Sequence, residues 1–128
     1  MAENDKANIL IVDDSPGKLL AMSAALAELQ GNVVTANSGR EALRRLLQQE
    51  FAVILLDVHL ADIDAREVLK HVKSNPDLQL TKVIAMSGKM TDEEAKGLTA
   101  TGFDGLLRKP FHVRQVIEAI EDAMAVVY

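Results

Sequence analysis

Three carboxylates in this sequence directly follow short apolar segments. Asp13 and Asp14 come after the apolar run at 9–12, and Asp57 comes after the run at 51–56. If these runs are parallel strands, their carboxyl ends lie at one edge of a sheet, where the ligands of such sheets bind. Carboxylates packed together there repel one another unless a cation lies among them, and a ligand set made of oxygens alone favours a hard ion such as Mg2+ or Ca2+. Because Mg2+ commonly shares its ligand shell with a phosphate, the arrangement suits phosphoryl chemistry.

A hydroxyl group and an ammonium group follow two further apolar runs. Ser87 comes after the run at 83–86, with Gly88 behind it, and Lys109 comes just beyond the run at 106–107. The hydroxyl can donate a hydrogen bond to a phosphoryl oxygen, and the lysine can neutralise part of the phosphoryl charge. Taken singly, each of these residues, like each carboxylate, is more commonly a turn or helix-capping residue. Because they all follow such runs, we interpret them together as one site for a phosphoryl group.

The segments that must position these groups alternate between two kinds. Short, nearly continuous apolar runs are typical of buried parallel strands, and five of them occur, at 9–12, 33–36, 51–56, 83–86 and 106–107. Longer stretches with helical spacing separate them, and capping patterns at Ser15-Pro16 and at Thr91 with Glu94 mark two of the helix starts. This alternation predicts a doubly wound α/β fold, in which five helices cover both faces of a five-stranded parallel sheet. The fifth helix is expected over residues 112–125.

Composition narrows the class of protein. With 128 residues, 48% of them hydrophobic, the chain has the size and apolar content of one domain, which we expect to span residues 1–128. Its formal net charge of -5 argues against direct binding to nucleic acid. The sequence contains no cysteine, which excludes disulfides and thiolate metal sites, and no apolar run of membrane-spanning length. The first residues lack the pattern of a signal peptide, so we expect a cytoplasmic protein that is not inserted in a membrane.

The motifs that carry the chemistry also carry a family resemblance. They are ILIVDD at 9–14, LLDVHLADIDAREVL at 55–69, AMSG at 85–88 and KPF at 109–111. With these motifs in this order and spacing, the chain resembles the receiver domain of two-component response regulators, of the chemotaxis-regulator type, along essentially its whole length. The resemblance implies a flavodoxin-like three-layer sandwich with strand order 2-1-3-4-5. It also implies a phosphorelay partner, which is a histidine kinase or a histidine phosphotransfer protein, and a downstream protein target or output domain.

The resemblance assigns the phosphoryl chemistry to residues that match the family motifs. Asp57 is the phosphoacceptor, and Asp13 and Asp14 hold Mg2+ together with Asp57 and the backbone carbonyl of His59. Mg2+ is the cofactor that the resemblance implies. A protein of this kind promotes only its own phosphorylation and dephosphorylation, so we do not expect an enzyme with a separate substrate.

Further residues are expected to respond to the phosphoryl group or to tune its lifetime. By the same resemblance, Ser87 is the switch hydroxyl and Lys109 contacts the phosphoryl group. Their inward movement is expected to bias the surface formed by helix four, strand five and helix five, which a partner then binds. His59 and Lys89, two residues beyond Asp57 and Ser87, occupy positions where family members tune the phosphoryl lifetime.

Three positions depart from the family pattern. Ala61 and Ala65 stand where members often carry proline and glycine, and Ala61 is expected to leave the loop after strand three less constrained. Leu106 stands where many receivers carry a tyrosine or phenylalanine whose ring turns inward on activation, so an aromatic readout is in doubt. These departures keep open the alternative of a pseudo-receiver, a module of the same fold that binds partners without phosphorylation. The retained aspartates, serine and lysine argue against it.

Two other classes of protein share parts of this pattern. A Mg2+-dependent phosphohydrolase with an aspartyl nucleophile would need a second aspartate two residues beyond the first, whereas Val58 and His59 follow Asp57 here. A nucleotide-binding module would need a glycine-rich first turn, whereas the turn after the first strand reads DDSPG and its acidic charge repels a phosphate that carries no metal. Both are therefore weaker alternatives.

Overall fold

The computed structural model describes residues 7–28, 31–88, 90–109 and 112–124, whose strands form one parallel sheet. The strands are β1 (Ala7–Val12), β2 (Gly31–Ala36), β3 (Val53–Asp57), β4 (Lys82–Ser87) and β5 (Gly105–Arg108). Their order across the sheet is β2-β1-β3-β4-β5, which confirms the predicted topology. The third strand begins at Val53 rather than at residue 51, and Phe51 is buried just before it. Lys89, Pro110 and Phe111 lie outside the described residues.

Five α-helices connect and follow the strands. They are α1 (Pro16–Ala25), α2 (Gly39–Gln48), α3 (Ala65–Ser74), α4 (Asp92–Thr101) and α5 (Val113–Met124), with single 3-10 turns at Leu26–Glu28 and Pro76–Leu78. The predicted helix starts are confirmed, because the Ser15 hydroxyl accepts a hydrogen bond from the first turn of α1 and Thr91 forms a capping box with Glu94 at α4. Within the described residues, no helix has the length and apolar character needed to cross a membrane.

The sheet separates two hydrophobic layers. Successive residues of a strand point to opposite faces, so each central strand contributes to both layers. Helices α2, α3 and α4 cover one face, and α1 and α5 cover the other. The first layer includes Leu10, Leu46, Ile54, Val68 and Leu98, and the second includes Ile11, Leu19, Leu55, Val116 and Ile120. Burial of each of these side chains stabilises the fold by about 1.5–3 kcal/mol, which makes the sheet a firm base for the loops at its edge.

Strand register brings the predicted site residues to one level at the carboxyl edge of the sheet. Val12 of β1 pairs with Leu56 of β3, so Asp13 and Asp57 leave neighbouring strands side by side. Ser87 of β4 pairs with Arg108 of β5, and the backbone N–H of Lys109 donates to the carbonyl of Ser87 over 2.8 Å. The parallel register therefore places residues from four separate sequence motifs at the same edge of the sheet.

Candidate functional site

The three carboxylates form a single group. Asp13, Asp14 and Asp57 each offer a carboxylate oxygen, and these oxygens all lie within 4.8 Å of one another. Asp13 and Asp57 are buried, with 1% and 5% of their surface exposed, whereas Asp14 is exposed to solvent. A cluster of carboxylate oxygens with one open side fits a hard cation that retains some water ligands, as Mg2+ does. The carboxylates of Asp13, Asp14 and Asp57 could therefore bind Mg2+.

Local backbone hydrogen bonds orient the two buried carboxylates. Oδ1 of Asp13 accepts a hydrogen bond from the backbone N–H of Ser15 over 2.9 Å, as the chain turns into α1. Oδ1 of Asp57 accepts one from the backbone N–H of His59 over 2.8 Å, as the chain leaves β3. Each carboxylate is thus fixed by the loop that follows its own strand, which restricts its rotation before any ligand binds.

Lys109 provides the positive charge of the site. Its Nζ atom donates to Oδ2 of Asp57 over 3.1 Å and to Oδ2 of Asp13 over 3.5 Å. Burial lowers the pKa of Lys109, but the hydrogen bond to Asp57 and the charges of Asp57 and Asp13 outweigh that effect, so the pKa is raised above its ordinary value. The side chain is therefore a cation at neutral pH, positioned against the carboxylate that the family resemblance assigns as phosphoacceptor.

The side chains of Ser87 and His59 are in contact. Ser87 ends β4 and is 2% exposed, and its Oγ atom lies 3.2 Å from Nε2 of His59. His59 itself is exposed, in the loop between β3 and α3. Both residues line an open cleft of about 500 Å3 that extends from this loop to α4. The Ser87 hydroxyl thus contacts the loop that follows Asp57, and this contact with the imidazole could not be deduced from the sequence.

A second contact that the sequence did not reveal fixes the loop after β3. The Asp62 carboxylate accepts hydrogen bonds from the backbone N–H groups of Gly39 and Arg40, both over 2.9 Å, at the start of α2. The hydrogen bond from Arg40 has the largest effect on the pKa of Asp62. Together with the bond from Gly39 it outweighs the effect of desolvation, so the pKa of Asp62 is lowered below its ordinary value. A side chain at position 39 would overlap Ile63, which packs directly on Gly39. The loop that Ala61 was expected to leave less constrained is therefore tied to α2 at the next two residues.

Leu106 in β5 stands at the position where many receivers carry an aromatic residue. Leu106 is partly buried and packs, like Met90, against the hydrophobic layer beneath α2, α3 and α4. An aliphatic side chain has no ring that could turn inward as an aromatic side chain does. At the same edge, Arg108 pairs with Asp92 over 3.0 Å, which links the end of β5 to the first residue of α4.

Comparison with known proteins identifies the family. The sequence profile described as the response regulator receiver domain matches residues 9–121. The chain is 34% identical over 123 residues to the transcriptional regulatory protein ZraR of Escherichia coli K12, which is 95% of this chain but 27% of ZraR. It is 29% identical over 102 residues to the signal transduction histidine-protein kinase BarA of the same organism, covering 80% of this chain and 11% of BarA. The chain therefore corresponds to a minor part of these relatives.

Solved structures agree with the sequence match. The chemotaxis response regulator CheY4 of Vibrio cholerae has a TM-score of 0.85 and 28% identity to this chain, covering 92% of this chain and 98% of that one. A CheY-like receiver domain protein from Methanospirillum hungatei has a TM-score of 0.82 and 27% identity, with 94% of each chain covered. The similarity extends over nearly the whole of both structures.

Proposed function

The chain belongs to the response regulator receiver domain family, and on this premise we propose that it is a phosphorylation switch in which Asp57 accepts a phosphoryl group. One observation carries the proposal. The Asp57 carboxylate lies in a group with Asp13 and Asp14 and accepts a hydrogen bond from the ammonium of Lys109. A role in a turn or a helix cap does not explain why two further carboxylates and a lysine surround this aspartate.

The proposed reaction is the transfer of a phosphoryl group from a phosphohistidine. A carboxylate oxygen of Asp57 forms a bond to phosphorus while the bond from phosphorus to the donor's imidazole nitrogen breaks, and that nitrogen regains its electron pair. Asp13, Asp14 and Asp57, with the backbone carbonyl of His59 as a further ligand, would hold Mg2+, which when bound supplies charge neutralisation for the phosphoryl oxygens. The chain's own groups contribute position and charge, because hydrogen bonds already orient Asp57 and Lys109.

The response to phosphorylation involves the groups next to Asp57. The new negative charge attracts the Lys109 ammonium and the Ser87 hydroxyl, which can each donate a hydrogen bond to a phosphoryl oxygen. Lys109 follows β5 and Ser87 ends β4, so movement of either residue reaches the surface formed by α4, β5 and α5. A downstream protein target or an output domain would bind this surface in one of its two arrangements.

The partners follow from the chemistry of transfer. The donor is a histidine kinase or a histidine phosphotransfer protein, and the similarity of this chain to part of the kinase BarA supports a place in such a relay. The net charge of -5 gives no reason to propose direct contact with nucleic acid or insertion in a membrane. We propose that the chain acts in the cytoplasm as one receiver domain over residues 1–128, without an enzymatic activity on a separate substrate.

A pseudo-receiver is the second candidate, and Leu106 is the observation that favours it. Its side chain is partly buried against the hydrophobic layer and cannot perform an aromatic rotamer exchange. Incubation with a small phosphodonor such as a phosphoramidate, followed by intact mass measurement, separates the two candidates. A phosphorylated receiver gains the mass of one phosphoryl group with Mg2+ present and much less with a chelator. No gain under either condition would leave the pseudo-receiver as the better account.

A further inference from the structure

The resting position of the Ser87 hydroxyl is set by a residue from a different loop. Ser87 is buried at the end of β4, and its Oγ atom lies 3.2 Å from Nε2 of His59, 28 residues away in the chain. Among the side chains that the structure describes, His59 is the hydrogen-bond partner of this hydroxyl. Either tautomer of a neutral imidazole supports the bond, because Nε2–H can donate to the hydroxyl or the hydroxyl can donate to an unprotonated Nε2. The contact therefore does not depend on one particular tautomer.

The backbone around His59 gives the imidazole a defined starting point. The backbone N–H of His59 is held by the Asp57 carboxylate, and Asp62, three residues further on, is held by the backbone of α2. With both ends of this short segment fixed, the side chain of His59 projects over the end of β4 from a constrained loop. A side chain on a fixed base loses less conformational freedom when it forms a hydrogen bond.

The structure also leaves space for the imidazole to move away. His59 and Ser87 border the open cleft of about 500 Å3, and residues of α4 including Gly97 and Leu98 line its far side. A Cβ at Gly97 would meet no heavy atom within 4 Å, so this wall of the cleft is not closely packed. The ring can therefore separate from the hydroxyl without forcing α4 from the sheet.

We infer that His59 is a positioning residue that holds the Ser87 hydroxyl in its resting place, so that a phosphoryl group on Asp57 must displace the imidazole before the domain switches. The inference rests on the proposed function of Asp57 and extends it to the regulation of the same site. Leu106 has no aromatic ring whose position could stabilise the resting state. The hydrogen bond between His59 and Ser87 provides a different restraint on that state. The energetic effect of the restraint is that of one hydrogen bond, which corresponds to about five-fold in an equilibrium constant.

Binding of beryllium trifluoride, a tetrahedral mimic of a phosphoryl group, tests the inference with Mg2+ present. His59→Ala should bind the mimic about five-fold more tightly than the unaltered protein, because Ser87 is already free. His59→Gln, whose amide nitrogen can replace Nε2, should bind with intermediate affinity. In a Ser87→Ala background, His59→Ala should have no effect, and His112→Ala, at an exposed histidine at the start of α5, should have none in any background.

A second measurement needs neither metal nor mimic. A double-mutant cycle on the urea unfolding of the metal-free protein should give a favourable coupling between His59 and Ser87. Unchanged or weaker mimic binding in His59→Ala, or no coupling in the cycle, would overturn the restraint. Failure of the unaltered protein to bind the mimic at all would instead overturn the proposed role of Asp57, so the two failures are distinguishable.

Discussion

Lys109 places its ammonium nitrogen 3.1 Å from Oδ2 of Asp57, although 52 residues separate the two in the sequence and β4 lies between their strands. The same nitrogen is 3.5 Å from Oδ2 of Asp13. Lys109 therefore neutralises part of the charge of the two buried carboxylates. Its ammonium competes there with any cation that the carboxylates bind.

This competition gives the first prediction. Lys109→Met should bind Mg2+ more tightly, by roughly ten-fold, because a positive charge a few ångströms from the metal's ligands is removed. The same variant should accept a phosphoryl group more slowly, since a donor to the phosphoryl oxygens is lost. Calorimetric titration with Mg2+ measures the affinity, and Lys70→Met, at an exposed position on α3, is the matched control. Equal or weaker affinity in Lys109→Met would show that the ammonium does not oppose the metal.

The second prediction concerns stability. Mg2+ at one hundred times its dissociation constant should raise the free energy of unfolding by about 2.7 kcal/mol, because it binds the folded cluster and relieves repulsion within it. Asp14→Lys should lose this response, since it replaces a ligand with a cation. Thermal unfolding with and without Mg2+ measures the effect, with Asp77→Lys, an exposed aspartate far from the cluster in sequence, as control. A melting temperature that Mg2+ leaves unchanged in the unaltered protein would count against the site.

The third prediction concerns the link between the β3–α3 loop and α2. Asp62→Ala should lower the free energy of unfolding by about 1 kcal/mol at neutral pH, because the N–H groups of Gly39 and Arg40 lose their acceptor. Asp62→Asn retains one acceptor oxygen without the charge and should cost less. Urea unfolding of the three proteins at one pH gives the comparison. No loss in Asp62→Ala would mean that the contact contributes nothing to folding.

The same link should depend on pH in a defined direction. The pKa of Asp62 is lowered in the folded protein, so its contribution is fully present above the unfolded pKa, near 4, and is lost as pH falls through the lower folded value. The stability difference between the unaltered protein and Asp62→Asn should therefore be constant above about pH 5 and should shrink below about pH 4. A difference that grew as the pH fell would contradict the sign of this shift.

The fourth prediction concerns the lifetime of the aspartyl phosphate. His59 follows Asp57 by two residues, and its bulk beside the site is expected to hinder the approach of an attacking water. His59→Ala should then shorten the lifetime about ten-fold, which corresponds to about 1.4 kcal/mol in the barrier. Phosphate release is timed after the donor is removed, in both the Ser87 and the Ser87→Ala backgrounds. A longer lifetime in His59→Ala would show that the histidine promotes hydrolysis.

The part of the site that the sequence predicts is the part set by strand register. Asp13 and Asp57 each follow a continuous apolar run, and parallel strands in register bring the ends of such runs together. The positions of Ser87 and Lys109 at this edge of the sheet are predicted in the same way, because each follows an apolar run. The strand order itself came from the family resemblance, because alternation of strands and helices alone is compatible with more than one order.

The contacts that the sequence could not predict depend on side-chain rotamers in loops. His59 and Ser87 are 28 positions apart in the sequence, and Asp62 and Gly39 are 23 positions apart. No periodic pattern in the sequence relates the members of either pair. Ala61 suggested a loop with fewer constraints, but a backbone preference at one residue does not reveal a hydrogen bond made by the next. Such contacts require the packed arrangement of three segments, which local sequence does not encode.

Intact mass measurement after incubation with a small phosphodonor and Mg2+ decides whether Asp57 is the phosphoacceptor. The unaltered protein should gain the mass of one phosphoryl group. Asp77→Asn, a matched change at an exposed aspartate, should gain the same mass, and Asp57→Asn should gain none, because its amide lacks the attacking carboxylate oxygen. Equal labelling of Asp57→Asn and the unaltered protein would show that Asp57 is not the phosphoacceptor.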